Sequence, residues 1–310
     1  MTPTLVRQHP AHAGSPPRVD ARARARDWAE IQERMLVPLY EAVYERLGVG
    51  AGTRLLGLGC GSGLALLLAA ARGAAVTGVD TGHAELLALA RERLLPGAGA
   101  QVPHAGAPAR EPAPGCARLV EGAPGDAAPP SGRPGYDVVT VFEPLGPPSG
   151  GTEGLVEALG EAAPLAERGG AVVLAGWGPA ERCATASVLR VAAKLADPVR
   201  GGDTDGQTGA APSPGAADWR PAGRDQLEEA AQRAGLRPDG SGRVACPFGY
   251  ADTGSAVRGL RSTGLFDAAL AVTDEEQIEK ELAEALHPHV REDGTVWMPN
   301  VFRYLVARRG

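Results

Sequence analysis

Apolar residues in this chain gather into short, nearly unbroken runs. Leu55-Leu56-Gly57-Leu58, Ala75-Val76-Thr77-Gly78-Val79, Tyr136-Asp137-Val138-Val139-Thr140-Val141-Phe142 and Ala171-Val172-Val173-Leu174 are runs of this kind. Successive apolar residues suit strands that are covered on both faces. A shorter run, Arg118-Leu119-Val120-Glu121, reads as a third strand, and residues 244–248 and 301–307 read as the last two. Between the runs, residues 64–71, 83–94, 155–166, 180–196 and 225–234 read as helices. Strands alternating with helices predict an α/β fold: seven strands, mostly parallel, with helices on both faces.

The same pattern divides the chain. Residues 1–20 carry four prolines and little apolar surface, and read as a disordered arm. Residues 21–50 read as a helical cap. Trp28, Ile31, Met35, Leu39, Val43 and Leu47 share one face there, and Pro38 splits it. Trp28, Tyr40 and Tyr44 either line a pocket or belong to a packing stripe. The core is expected over 51–250, with flexible Gly- and Pro-rich loops near 96–117 and 197–222. A helical insertion or cap follows at 251–298, and 299–310 returns the last strand of the core. Within the insertion 255–271 reads as helical. Thr273-Asp274-Glu275-Glu276 reads as a capping box, with the Thr hydroxyl on the Glu276 amide. The insertion is expected over the carboxyl edge of the sheet, where open α/β sheets bind ligands.

The first strand runs into a turn of small residues, Gly57-Leu58-Gly59-Cys60-Gly61-Ser62-Gly63, and then into a helix. Glycine there permits positive φ and lets a ligand approach bare backbone. The helix start adds unpaired N–H groups and the positive end of a dipole. Asp80 ends the second strand, where a carboxylate can accept both ribose hydroxyls of a nucleoside. A dinucleotide fingerprint needs glycines at positions one, three and six. Counted from Gly57 the sixth residue is Ser62, and from Gly59 it is Leu64, so that fingerprint fails. No Gly-Lys-Ser/Thr phosphate loop exists in the chain.

Leu58-Gly59-Cys60-Gly61-Ser62-Gly63 resembles the first motif of the class I S-adenosylmethionine-dependent methyltransferases, and Gly78-Val79-Asp80 resembles the end of that family's second strand. Asp126-Ala127, residues 136–142 and Arg168-Gly169-Gly170 followed by Ala171-Val172-Val173-Leu174 continue the resemblance in order. It implies a Rossmann-like fold, S-adenosyl-L-methionine as cofactor and methyl transfer to a small-molecule acceptor. It further implies that Gly59, Cys60, Gly61 and Gly63 hold the amino-acid end of the donor. Asp80 with Thr81 would hold the ribose, Asp126 with Ala127 the adenine, and Phe142 and Glu143 would lie near the sulfur. The two-fold alternative for Asp126 is a plain turn residue beside Gly125. The family usually carries an acid before its Gly-x-Gly run, and this chain has Gly57. A polar contact near the methionine amino group is therefore absent or supplied elsewhere. No residue stands out as a general base.

Composition narrows the acceptor. The 310 residues are 44% hydrophobic, enough for a packed core, and carry a net charge of −6. That charge gives no broad basic field for nucleic acid. Phe142-Glu143-Pro144-Leu145 lacks the Asn/Asp-Pro-Pro-Tyr/Phe signature of enzymes that methylate amino groups of bases. Cys246-Pro247 reverses the Pro-Cys pair used on cytosine. Lys194 and Lys280 are the only lysines, and both sit on polar helical stretches, which disfavours Schiff-base chemistry. Cysteines 60, 116, 183 and 246 form no metal spacing and read as reduced thiols of a cytoplasmic protein. Neither a secretory leader nor an 18-residue apolar span is apparent, so no membrane span is expected. Two other classes stay open: a binding module that keeps the nucleoside pocket without chemistry, and an NAD-linked oxidoreductase.

Overall fold

A computed structural model describes residues 20–95, 117–129, 135–142, 151–196 and 225–310. The expected arm at 1–20 and the loops expected near 96–117 and 197–222 fall almost wholly outside the described residues, as does Glu143.

The strands are β1 (Arg54–Leu58), β2 (Ala75–Asp80), β3 (Ala117–Glu121), β4 (Tyr136–Val141), β5 (Ala166–Trp177), β6 (Arg237–Ala245), β7 (Phe248–Tyr250), β8 (Val296–Met298) and β9 (Val301–Arg308). Seven of them form one sheet in the order β3-β2-β1-β4-β5-β9-β6, and β7 pairs with β8. β1 pairs in parallel with β2 and β4, β2 with β3, and β4 with β5. Among the described strands of the seven-stranded sheet, β9 alone runs antiparallel, against both β5 and β6, and β7 and β8 are antiparallel to each other. This is the seven-stranded, mostly parallel sheet that the apolar runs predicted, and the Rossmann-like fold that the resemblance implied. Side chains alternate across it: Leu55, Val76, Val138 and Val173 enter one core, and Leu56, Val79, Val139 and Val172 the other. Arg54 on β1 grips Asp137 on β4 through Nε (3.0 Å) and a terminal nitrogen (2.7 Å), which fixes the start of that pair.

The helices are α1 (Ala21–Asp27), α2 (Val37–Leu47), α3 (Leu64–Ala71), α4 (Ala84–Leu94), α5 (Gly151–Ala162), α6 (Thr185–Ala196), α7 (Gln226–Arg233), α8 (Thr253–Ser262), α9 (Asp267–Leu270) and α10 (Glu275–Leu286). α1 and α2 are joined by a π-helical turn, Trp28–Gln32, and a 3-10 turn, Glu33–Leu36. The split therefore begins ten residues before Pro38, which sits harmlessly in the first turn of α2. The buried face also differs from the apolar stripe. Ala25, Ala29, Gln32, Glu33 and Leu36 are buried, whereas Trp28, Ile31 and Met35 are only partly covered.

Four other elements depart from the pattern. The strand expected at 244–248 is two strands in two sheets, because the chain turns at Cys246-Pro247, where Pro lacks a ladder donor. β6 instead begins at Arg237 and includes Pro238, Gly240 and Gly242, residues that an edge strand tolerates. A Cβ on Gly242 would fall 2.4 Å from the Tyr304 ring, so glycine there makes room for that ring. The helix expected at 180–196 is a short 3-10 turn, Ala180–Arg182, followed by α6, and the one at 255–271 breaks at Gly264, whose φ is 83°.

The cap of α10 is shifted by one residue. Asp274, not Thr273, accepts the amide of Gln277 at 2.8 Å, while the Thr273 hydroxyl donates to the Leu195 carbonyl at 3.2 Å. Asp274→Ala is expected to lower stability by about 1 kcal/mol, the usual cost of a lost N-cap. Urea denaturation checks this, and a midpoint equal to that of the parent would remove the assignment.

Candidate functional site

β1 feeds a turn whose glycines are left-handed: φ is 56° at Gly59, 53° at Gly61 and 80° at Gly63. Residues with a Cβ rarely adopt that conformation. At Gly63 a Cβ would also lie 2.9 Å from the Ala90 Cβ on α4, so the glycine lets α3 and α4 approach. Gly57, where the resembled family places an acid, is filled differently. A Cβ there would lie 2.9 Å from Leu66 Cδ2 of α3, and the position has no room for a carboxylate side chain without displacing Leu66.

Asp80 closes the turn from the neighbouring strand. Its carboxylate is 4% exposed. Oδ2 accepts the Gly61 amide at 3.0 Å, and Nδ1 of His83 donates to Oδ1 at 2.9 Å. A carboxylate has about four lone-pair positions, so these two bonds leave capacity on each oxygen. Thr81 follows on the exposed side of the strand end.

The opposite wall comes from the N-terminal segment. Glu33 is 3% exposed and lies against the turn. The Ser62 hydroxyl donates to its Oε2, and so does Arg93 of α4 at 2.9 Å. Arg93 also donates to the carbonyls of Ser62 (3.0 Å) and Ala29 (3.1 Å), tying α4, the glycine turn and the N-terminal segment into one network. Burial raises the Glu33 carboxyl above its ordinary value, and the bonds from Ser62 and Arg93 oppose that rise. Next to Glu33, the Trp28 indole N–H is buried with no hydrogen-bond partner among the described residues. Tyr250 donates to Gln32 Oε1 at 2.9 Å and anchors the segment from the other side.

Trp28, Glu33, Tyr40, Cys60, Thr140 and Phe142 enclose, with Gly57 to Gly61, a cavity of about 30 Å³. The rings of Tyr40 and Phe142 are 4.9 Å apart. Tyr44, by contrast, is fully buried and donates to the Ala65 carbonyl at 2.9 Å, so it packs. Burial, then the nearby Asp80, pushes the Cys60 thiol up to about 12, which keeps it protonated and rules it out as a nucleophile at neutral pH. Burial and the charge of Glu33 likewise hold the Tyr40 hydroxyl well above its ordinary value.

The structure thus brings Gly59, Cys60, Gly61 and Phe142 into one cavity and joins Asp80 to it through Gly61. Asp126 and Ala127 lie apart from its walls, in a 3-10 turn after β3. The exposed Asp126 carboxylate accepts the Ala123 amide at 2.9 Å and closes its own turn, while the buried Ala127 carbonyl accepts from Tyr136 at 2.6 Å. His287, His289 and Trp297 take no part in the cavity; Arg291 stacks on the Trp297 ring at 4.6 Å. Among the described residues there is no group of three or more His, Cys, Asp or Glu side chains suited to a metal, and no helix is long and apolar enough to cross a membrane.

Glu33 and Arg93 carry the site yet were not among its expected residues. Apolar spacing assigns an acid within a helical stretch to solvent. The available signal is the step back from Tyr44 through Tyr40 and Leu36, which arrives at Glu33 and Ala29.

No protein-family model matches the chain, and no curated protein matches it. Solved structures are similar at low identity. A SAM-dependent methyltransferase from Thiobacillus denitrificans in complex with S-adenosyl-L-homocysteine is 18% identical, covering 94% of this chain and 99% of that one, with a TM-score of 0.49. Geranyl diphosphate C-methyltransferase from Streptomyces coelicolor is 15% identical over 90% of this chain and 80% of its own, with a TM-score of 0.42. The [4+2]-cyclase SpnF is 17% identical over 87% and 80%, with a TM-score of 0.45. Likeness at this level assigns neither activity nor ligand. What the structure shows by itself is a Rossmann-like sheet in which the one antiparallel strand, β9, lies between β5 and the edge strand β6.

Proposed function

We propose that this protein binds S-adenosyl-L-methionine across the carboxyl ends of β1 and β2 and transfers its methyl group to a small molecule. The observation that carries this reading is the left-handed glycine turn pinned to a buried carboxylate: Gly61 donates to Asp80 where β1 and β2 end. The turn and the start of α3 would receive the amino-acid end of the donor, and Asp80 the ribose. Asp126 and Ala127 would flank the adenine, with Phe142 and Glu143 near the sulfur.

The residues present suit that group. The cavity has a bare backbone floor, aromatic walls that favour a sulfonium cation, and a buried N–H that lacks a partner among the described residues. Its size requires opening. About 30 Å³ holds roughly one water, whereas ligand pockets usually measure about 300 Å³ or more. Trp28, Glu33 and Tyr40, on the N-terminal side, would have to shift outward to admit the donor.

The bound donor supplies an activated methyl group. The chain's part is then to align the acceptor behind that methyl and to exclude water. Among the described cavity residues, none has a hydroxyl or thiol poised to lose a proton near neutral pH, since Tyr40 and Cys60 are both held high. That observation favours a second reading, a binding module without chemistry. Calorimetry with adenosylmethionine, adenosylhomocysteine and NAD separates the classes, followed by transfer of labelled methyl to metabolite extracts. Donor binding with transfer supports the first reading and donor binding without transfer the second. Binding of NAD alone overturns both.

A further inference from the structure

The acid missing at Gly57 has a counterpart on a different element. Gly61 is flanked on its bare side by two polar atoms of the N-terminal segment. A Cβ on Gly61 would lie 3.7 Å from Trp28 Nε1 and 3.8 Å from Glu33 Oε1. One of these is a donor, buried and unpartnered among the described residues. The other belongs to a carboxylate that is 3% exposed and held in place, through Oε2, by Ser62 and Arg93. A buried polar atom left without a partner marks either a cost to the fold or a place reserved for a ligand. A buried carboxylate oxygen and a nearby N–H donor, over bare backbone, complement a group that carries a cation and an anion on one carbon. An α-amino acid in its zwitterionic form has that arrangement.

We infer that Glu33 and Trp28 together read the α-amino-acid end of the nucleoside: Glu33 receives its ammonium, and the Trp28 indole N–H donates to its carboxylate. This rests on the functional reading above. It makes the N-terminal segment, and not β1, the source of the carboxylate that selects an amino-acid-bearing nucleoside over a simple one. The π-helical turn at Trp28–Gln32 leads directly into the 3-10 turn that carries Glu33. Turns of this irregular kind are frequent at functional sites.

The experiment is calorimetric titration of the full chain with S-adenosylhomocysteine and with 5′-methylthioadenosine, which lacks the amino-acid end. The parent protein, Glu33→Gln and Trp28→Phe are compared. Adenosylhomocysteine affinity should fall about tenfold in Glu33→Gln and about fivefold in Trp28→Phe, while methylthioadenosine affinity stays within about twofold. Equal losses for both ligands would show a merely structural role and overturn the inference, as would unchanged affinity for adenosylhomocysteine. If Glu33→Gln does not fold, the parent is titrated with the deaminated analogue of adenosylhomocysteine. A preference of about tenfold for the amine supports the inference, and no preference defeats it. Failure of the parent protein to bind either nucleoside would instead defeat the functional reading.

Discussion

Arg93→Met is expected to destabilise the fold by about 3 kcal/mol at neutral pH, near the lower end of the cost of breaking a buried ion pair. Glu33 is 3% exposed, and the Arg93 side chain is 26% exposed, so the carboxylate is the group left stranded. The loss should depend on pH in a definite direction. Burial already raises the Glu33 carboxyl in the folded state above its ordinary value, and Arg93 is one of the groups opposing that rise. Without Arg93 it rises further. A carboxyl raised in the folded state binds its proton more tightly there than in the unfolded chain. Its contribution to stability is therefore fully present below the unfolded value and is lost as pH climbs through the folded one. The deficit of Arg93→Met relative to the parent should shrink as pH falls from about 7.5 toward 5. Urea denaturation at both pH values measures it, and a deficit that stays constant or grows on acidification contradicts a stranded carboxylate.

Asp80→Ala is expected to weaken adenosylhomocysteine binding by about 2–3 kcal/mol, or roughly 30- to 150-fold. Two losses combine. The ribose hydroxyls lose a charged acceptor, and the Gly61 amide, held at 3.0 Å, loses its anchor, so the turn is less well ordered before the ligand arrives. Asp80→Asn keeps the shape and one acceptor oxygen, and should fall between the parent and the alanine variant. His83 competes for Oδ1 at 2.9 Å, but its side chain is 59% exposed and can yield to a ribose hydroxyl. Titration calorimetry measures all three proteins. Affinity of Asp80→Ala within about twofold of the parent would mean that no charged hydrogen bond to the sugar exists.

The sheet was legible because its centre is buried on both faces. β1, β2 and β4 are built mostly of Leu, Val, Gly and Thr, and such runs permit few other structures. The glycine turn was legible for a related reason: left-handed backbone restricts residue choice, and the restriction shows in the sequence. β6 was hidden by the opposite circumstance. As an edge strand it accepts Pro238, Gly240 and Gly242, and packing against Tyr304 even calls for glycine at 242. The cavity wall was hidden by polarity. Gln32 accepts from Tyr250 through Oε1, and Glu33 accepts from Ser62 and Arg93; those partners are 218, 29 and 60 residues away in the chain. A local pattern of apolar residues cannot carry contacts of that range. The vacancy at Gly57 was visible in the sequence, yet its filling by Leu66 and the approach of Glu33 were visible only in three dimensions.

The most direct test is a crystal structure of the protein with S-adenosylhomocysteine bound. The nucleoside should lie over Gly59 to Gly63 with both ribose hydroxyls on the Asp80 carboxylate, and the wall formed by Trp28, Glu33 and Tyr40 should have moved outward to admit it. An empty crevice at saturating ligand, or a sugar bound away from Asp80, would contradict the account.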